Sequence, residues 1–205
     1  LGFKPTKRTW GAEVFPGSPL PNAMVQVSPV TKFHSGAGYQ YEDSVIYGFT
    51  HTNKGHWNLC HIPLLPVTGT PTPGDYCSPF SHERESAAPG YYQVFLDRYG
   101  VDAQLSSTLR CAFHKYTYPA GAAASLLADL QRSNEHVRAW DIRKEGDNVF
   151  AGWQQTGEKM YFYAVANRPV TGIEPVVEGD REVRIVRFGE GDGALELRIG
   201  FSFVS

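Results

Sequence analysis

An all-β sandwich is the fold this sequence predicts, on three observations. Many short apolar or alternating runs are separated by turn residues. Only one stretch carries helical spacing. The last run alternates strictly: Leu195, Leu197, Ile199, Phe201 and Phe203 share one face, and Glu196, Arg198, Gly200 and Ser202 the other. At 205 residues, one sandwich domain is of ordinary size and should bury about 70% of its unfolded surface.

The elements follow in order. Pro19, Pro21, Pro29, Pro63, Pro66, Pro71, Pro73 and Pro79 punctuate the first half and exclude long helices and central strands there. Short strands are expected between them at Ala23 to Val27, Ser44 to Phe49 and Ile62 to Leu65. Tyr91 to Leu96, Val101 to Leu105 and Ala112 to Tyr118 come next, with Asp97-Arg98-Tyr99-Gly100 as a hairpin turn. Leu126, Leu127 and Leu130 predict one short α-helix over Ala120 to Leu130, with Pro119 in its first turn. Strands resume at His136 to Arg143, Val149 to Gln155 and Met160 to Ala166. Glu145-Gly146-Asp147-Asn148 turns between the first two. Val183 and Ile185 begin another alternating run, which Gly189 to Gly193 joins to the last. There is no repeat and no sharp change of composition, so residues 1–205 read as a single domain. The final strand continues to Ser205, where domains usually end in loose polar residues, and further chain is expected to follow.

Composition narrows the function. Nineteen Lys and Arg face 21 Asp and Glu, a net charge of −2, which argues against a nucleic-acid binder. Lys4, Lys7 and Arg8 form the one tight basic cluster and read as frayed surface. No run approaches the ~18 apolar residues of a membrane helix. Cys60, Cys77 and Cys111 make no CxxC pair; one disulfide and buried free thiols both stay open. The sequence shows no signal peptide, and an export signal already removed stays open too.

The most informative stretch is Tyr47 to Asn58. It packs His51, Asn53, Lys54, His56, Trp57 and Asn58 around Gly55. Core strands avoid so many polar groups, and plain turns rarely carry a Trp. Donors, acceptors and a flat aromatic face on one loop suit a sugar, whose polarised C–H groups stack on an indole. His51, Asn53, His56, Trp57 and Asn58 are therefore candidate sugar contacts, with Trp57 as platform, and His82 joins them from a later block. Structural roles compete at each position: Trp57 as a packing residue, His51 as a buried histidine, His56 and Asn58 as solvated loop, His82 and His114 as structural hydrogen-bonders. A metal set is not expected. His51, His56 and His61 are spaced by five, which gives no shared face on strand or helix. No EF-hand loop is present either.

Several blocks, in order, resemble the N-terminal module of glycoside hydrolase family 92, the calcium-dependent exo-α-mannosidases. They are Phe15-Pro16-Gly17 with Met24-Val25-Gln26-Val27-Ser28-Pro29, then Ile46-Tyr47-Gly48-Phe49-Thr50-His51-Thr52. Ser78-Pro79-Phe80-Ser81-His82-Glu83 with Pro89-Gly90-Tyr91-Tyr92 follows. Phe113-His114-Lys115-Tyr116-Thr117 and Gly200-Phe201-Ser202-Phe203-Val204-Ser205 complete the set. The resemblance implies a large supersandwich of the galactose mutarotase-like type. It implies a separate C-terminal (α/α)6 catalytic domain that carries acid, base and most calcium ligands. It further implies mannose-containing glycans as substrate, inverting hydrolysis of the α-1,2-mannosidase type, and an extracellular or periplasmic location. Under it this chain holds no catalytic residue, binds no metal alone, and is inactive in isolation. A stand-alone carbohydrate-binding module and a purely structural support domain are the rival readings.

Overall fold

The computed structural model describes residues 15–18, 20–55, 57–191 and 193–204. In chain order the strands begin with β1 (Ser28–Val30), β2 (Val45–Ile46), β3 (Gly48–Thr50), β4 (Asn53–Lys54), β5 (Trp57–Asn58) and β6 (Leu64–Val67). Then come β7 (Ser78–Pro79), β8 (Glu85–Ala88), β9 (Tyr91–Leu96), β10 (Val101–Ser107), β11 (Cys111–Thr117) and β12 (Ser125–Ala128). The chain closes with β13 (Ala139–Gly146), β14 (Val149–Gln155), β15 (Lys159–Ala166), β16 (Val170–Glu178), β17 (Arg181–Phe188) and β18 (Leu195–Ser202). A 3-10 turn, His82–Arg84, precedes β8.

Two antiparallel sheets enclose one core. The larger has eight strands in the order β13-β14-β15-β18-β11-β10-β9-β8, and the smaller six in the order β1-β3-β6-β12-β17-β16. In the larger sheet, successive side chains turn alternately inward and outward. Tyr92, Val94, Leu105, Tyr116, Phe162, Leu197 and Ile199 all point into the core. Phe49 of β3 ties the layers together, with its ring centroid 6.3 Å from that of Tyr116 and 6.4 Å from that of Tyr92. β18 lies mid-sheet, paired with β11 on one side and β15 on the other.

The expected hairpins at 97–100 and 145–148 form as predicted. Three expectations need correction. The helix over Ala120 to Leu130 is absent; among the described residues there is no α-helix, and the segment holds β12 instead. All four β12 residues are buried between β6 and β17, so the strand shows no alternation of exposure and its leucines match helical spacing by coincidence. Ala23 to Val27 is irregular, and the strand starts at Ser28. Ser44 to Phe49 divides at Tyr47, with β2 pairing β7 and β3 pairing β1.

Pro66 lies in β6, inside the six-stranded sheet. It is tolerated there because β3 pairs with β6 at Leu64, so among the described residues Pro66 has no ladder partner on that side. β17 and β18 are joined by the predicted loop yet belong to opposite sheets. The three thiols are unpaired: Cys60 is buried, Cys77 half-buried and Cys111 exposed. Among the described residues, no helix is long and apolar enough to cross a membrane.

Candidate functional site: the β4–β5 hairpin and its supports

The hairpin turns at Gly55, whose φ of 63° suits glycine. Pairing sets Asn53 opposite Asn58 and Lys54 opposite Trp57. Trp57 keeps 56% of its surface exposed. Asn58 is fully buried and works as a framework residue. Its Nδ2 donates to Ser28 Oγ at 2.9 Å, and its Oδ1 accepts from the Cys60 N–H at 2.7 Å and the Thr50 hydroxyl at 3.1 Å. Its backbone N–H reaches Gly36 O at 2.8 Å, and its carbonyl accepts from Asn134 Nδ2 at 2.6 Å.

The chain leaves the hairpin in left-handed backbone at two non-glycine positions, Cys60 (φ 54°) and Ile62 (φ 52°). That region is costly for a β-branched residue. Side chains hold both: Asn58 Oδ1 takes the Cys60 N–H, and Gln154 Oε1 takes the Ile62 N–H at 2.9 Å. Asn58→Ala should therefore cost about 2 kcal/mol, because it strands the Ser28, Thr50 and Cys60 groups in the interior. Urea midpoints of the two proteins check this.

A second network braces the hairpin base. Thr52 Oγ1 is 2.8 Å from His61 Nδ1, and His61 Nε2 is 2.9 Å from Glu135 Oε2, which also accepts from Thr156 Oγ1 at 2.8 Å. Desolvation lowers the His61 pKa, so the ring is neutral near pH 7: Nδ1 accepts from Thr52, and Nε2–H donates to Glu135. Desolvation pulls the Glu135 carboxyl upward, but hydrogen bonds from Thr156 and His61 outweigh it and keep the pKa low. Hydroxyl, imidazole and carboxylate thus stand in line. Thr52 is buried, however, so the line serves as a brace and offers no nucleophile.

Among the described residues, Trp57 and Asn53 are the predicted contacts that sit on the hairpin with exposed surface. The Asn53 side-chain amide, however, has both polar atoms buried, and they find no hydrogen-bond partner among the described residues. His56 lies outside the described residues. His51 and Asn58 are corrected from sugar contacts to interior residues, since neither exposes any surface. His51 Nε2 meets His114 Nε2 at 3.2 Å, and its ring stacks on His114 and lies against Phe201. Burial lowers its pKa to about 3.

His82 sits elsewhere, in the 3-10 turn. Its Nδ1 is 2.6 Å from Glu85 Oε2 and its Nε2 is 2.8 Å from the Tyr41 carbonyl, so both ring nitrogens face acceptors. Glu85 also accepts from the Tyr39 and Tyr92 hydroxyls, whose pKa values are raised by burial first and Glu85 second.

Sequence reading missed Asn134, Glu135 and Arg132, although Arg132-Ser133-Asn134-Glu135-His136 is a polar loop signal. Arg132 stacks over Phe33 at 4.4 Å and Tyr47 at 5.0 Å, on the wall of a cleft of about 490 Å³ that also includes Thr31 and Asp43. Among the described residues, no three His, Cys, Asp or Glu side chains converge to hold a metal ion.

The profile described as "Glycosyl hydrolase family 92 N-terminal domain" matches residues 6–202. This chain belongs to that family. The family 92 domain is similar to the α-mannosidase BT3965 of Bacteroides thetaiotaomicron, with 24% identity and a TM-score of 0.85 over 96% of this chain and 32% of that one. It is similar to the family 92 glycosyl hydrolase ccman5, with 25% identity and a TM-score of 0.77 over 93% of this chain and 30% of that one. It is also similar to the inverting mannosidase BT2199 of B. thetaiotaomicron, with 22% identity and a TM-score of 0.79 over 95% and 29%. The family 92 domain thus spans about a third of the length of the structures it resembles. At 22–24% identity, the likeness to the two B. thetaiotaomicron enzymes establishes the fold. No curated protein sequence matches the chain.

Proposed function

We propose that this domain is the substrate-shaping part of an exo-α-mannosidase of the α-1,2 type. It presents the β4–β5 hairpin to a mannose-containing glycan held against a catalytic (α/α)6 domain of the same polypeptide. The exposed indole of Trp57, on a hairpin pinned through Asn58 at five hydrogen-bonding points, is the observation that carries this reading. A platform held that firmly loses little entropy when a sugar stacks on it.

Inverting hydrolysis needs an acid and a base about 6.5–9.5 Å apart. Among the described residues, the two carboxylates with fully buried side chains are committed elsewhere. Glu85 takes His82, Tyr39 and Tyr92, and Asp129 takes Tyr76 and Arg181. The acid, the base and any calcium ligands are assigned to the partner domain, and the enzyme to the extracellular or periplasmic side.

Trp57→Ala in the two-domain polypeptide tests the reading. Loss of a stacking face should lower kcat/KM on α-1,2-mannobiose by about 10–100-fold with an unchanged Tm. Unchanged kcat/KM with a lowered Tm would instead mark a packing residue. The isolated domain should release no mannose above a mock preparation.

A further inference from the structure

The outer face of the eight-stranded sheet carries a trough of about 540 Å³ that the hairpin reading does not use. Strand register builds it. One cross-strand row reads Asp141, Trp153, Tyr161, Ser202, and the next Arg143, Ala151, Tyr163, Gly200, Cys111. Residues directly opposite in neighbouring strands share a face with Cβ atoms about 5 Å apart, so three aromatic rings gather beside two small residues. Ala151 and Gly200 form the low floor on either side of Tyr163, which is 53% exposed. Tyr161 and Tyr163 are two residues apart on β15, an advance of about 6.6 Å, close to the length of one sugar ring.

The rim is polar and nearly balanced. Arg143 is fixed between two carboxylates, with Nε 2.6 Å from Glu145 Oε1 and Nη1 3.2 Å from Asp141 Oδ2. The Lys159 ammonium lies 3.7 Å from the centre of the Trp153 ring. Three cations, Arg110, Arg143 and Lys159, therefore meet two anions, Asp141 and Glu145, which gives an anionic polymer little surplus charge to bind. Aromatic faces on the floor and oriented charged hydrogen-bonding groups at the edge are what a neutral glycan needs.

We infer that this trough is a second saccharide-binding surface, for a chain of neutral sugars, separate from the β4–β5 hairpin. Its occupancy does not depend on the hairpin reading.

The 205-residue chain can be titrated with α-1,6-mannotetraose and with cellotetraose, following indole fluorescence. Saturable binding of at least one of them is expected. Gly200→Leu is the sharp probe, since a Cβ there meets nothing within 4 Å and the side chain fills the trough without touching the core. It should weaken binding at least about tenfold while Tm stays within about 2 °C. Trp153→Ala should weaken binding similarly. The proposal falls if neither saccharide binds up to about 10 mM, or if Gly200→Leu binds as the parent does. If Trp57→Ala alone abolishes binding, the hairpin is the saccharide site and the trough is not. A dimer that Gly200→Leu dissociates, with no saccharide response, would assign the trough to self-association and overturn the proposal as well.

Discussion

Taking the domain from pH 7 to pH 4.5 should lower its stability, by about 2.7 kcal/mol from His51 alone, with most of the loss below pH 6.5. The cause is the interior pair His51 and His114. Both are fully buried, their Nε2 atoms are 3.2 Å apart, and His114 Nδ1 lies 2.5 Å from the Tyr116 hydroxyl. Desolvation lowers the His51 pKa to about 3. Desolvation, and then the neighbouring His51, hold His114 well below the ordinary value. Unfolded, each imidazole takes a proton near pH 6.5. Between that pH and the folded values the unfolded chain holds more protons, so stability is complete above pH 6.5 and falls as pH falls.

His51 contributes a slope of about 1.4 kcal/mol per pH unit, so two units below pH 6.5 remove about 2.7 kcal/mol, and His114 adds in the same sense. His61, lowered by the same desolvation, adds in the same sense. Domains of this kind hold about 5–15 kcal/mol in all, so mild acid should remove a substantial share of the stability. Urea midpoints across pH 4.5–7.5 give the measurement. A midpoint constant down to pH 5 would mean that the pair accepts a proton without unfolding.

Gly152→Ala should be the most damaging small substitution, costing about 3 kcal/mol or detaching β13. A Cβ on Gly152 would lie 2.1 Å from the Asp141 carbonyl oxygen, 2.9 Å from the Ile142 Cα and 2.8 Å from the tip of the Phe162 ring. Two of those three atoms are backbone of the neighbouring strand, which no rotamer change can move. β13 is an edge strand and can separate from β14 while the rest of the sheet persists. Amide exchange separates the two outcomes: fast exchange confined to residues 139–146 means release of the edge, and faster exchange everywhere means global loss. Gly200→Leu, in a neighbouring row but over open space, is the natural contrast.

What the sequence could disclose depended on how many faces of a strand are covered. β9, β10, β11, β15 and β18 each have one covered face, and their alternation was legible residue by residue. β12 is covered on both, so no alternation survives, and its leucines read as a helix. β16 went unforeseen for the opposite reason. It is a largely exposed edge containing Gly172, Glu174 and Pro175, so little apolar pattern remains.

The hairpin was legible as a concentration of unusual residue types, but composition does not tell which of them face outward. His51 and Asn58 looked like ligand contacts because polar groups in a core are uncommon. They are the uncommon case, each hydrogen-bonded inside. The partners that make burial possible, Ser28, Asn134 and His114, are 30, 76 and 63 residues away in sequence, beyond the reach of any local pattern.

The central seat of β18 has a consequence for biosynthesis. It is the last of these strands to leave the ribosome, yet it alone joins β13–β15 to β8–β11. Until residue 202 is free of the exit tunnel, the large layer exists as two unjoined ribbons whose inner margins are open to pairing with other nascent chains. Compaction is therefore a late, nearly all-at-once event, and the half-made polypeptide depends on being kept apart from its neighbours.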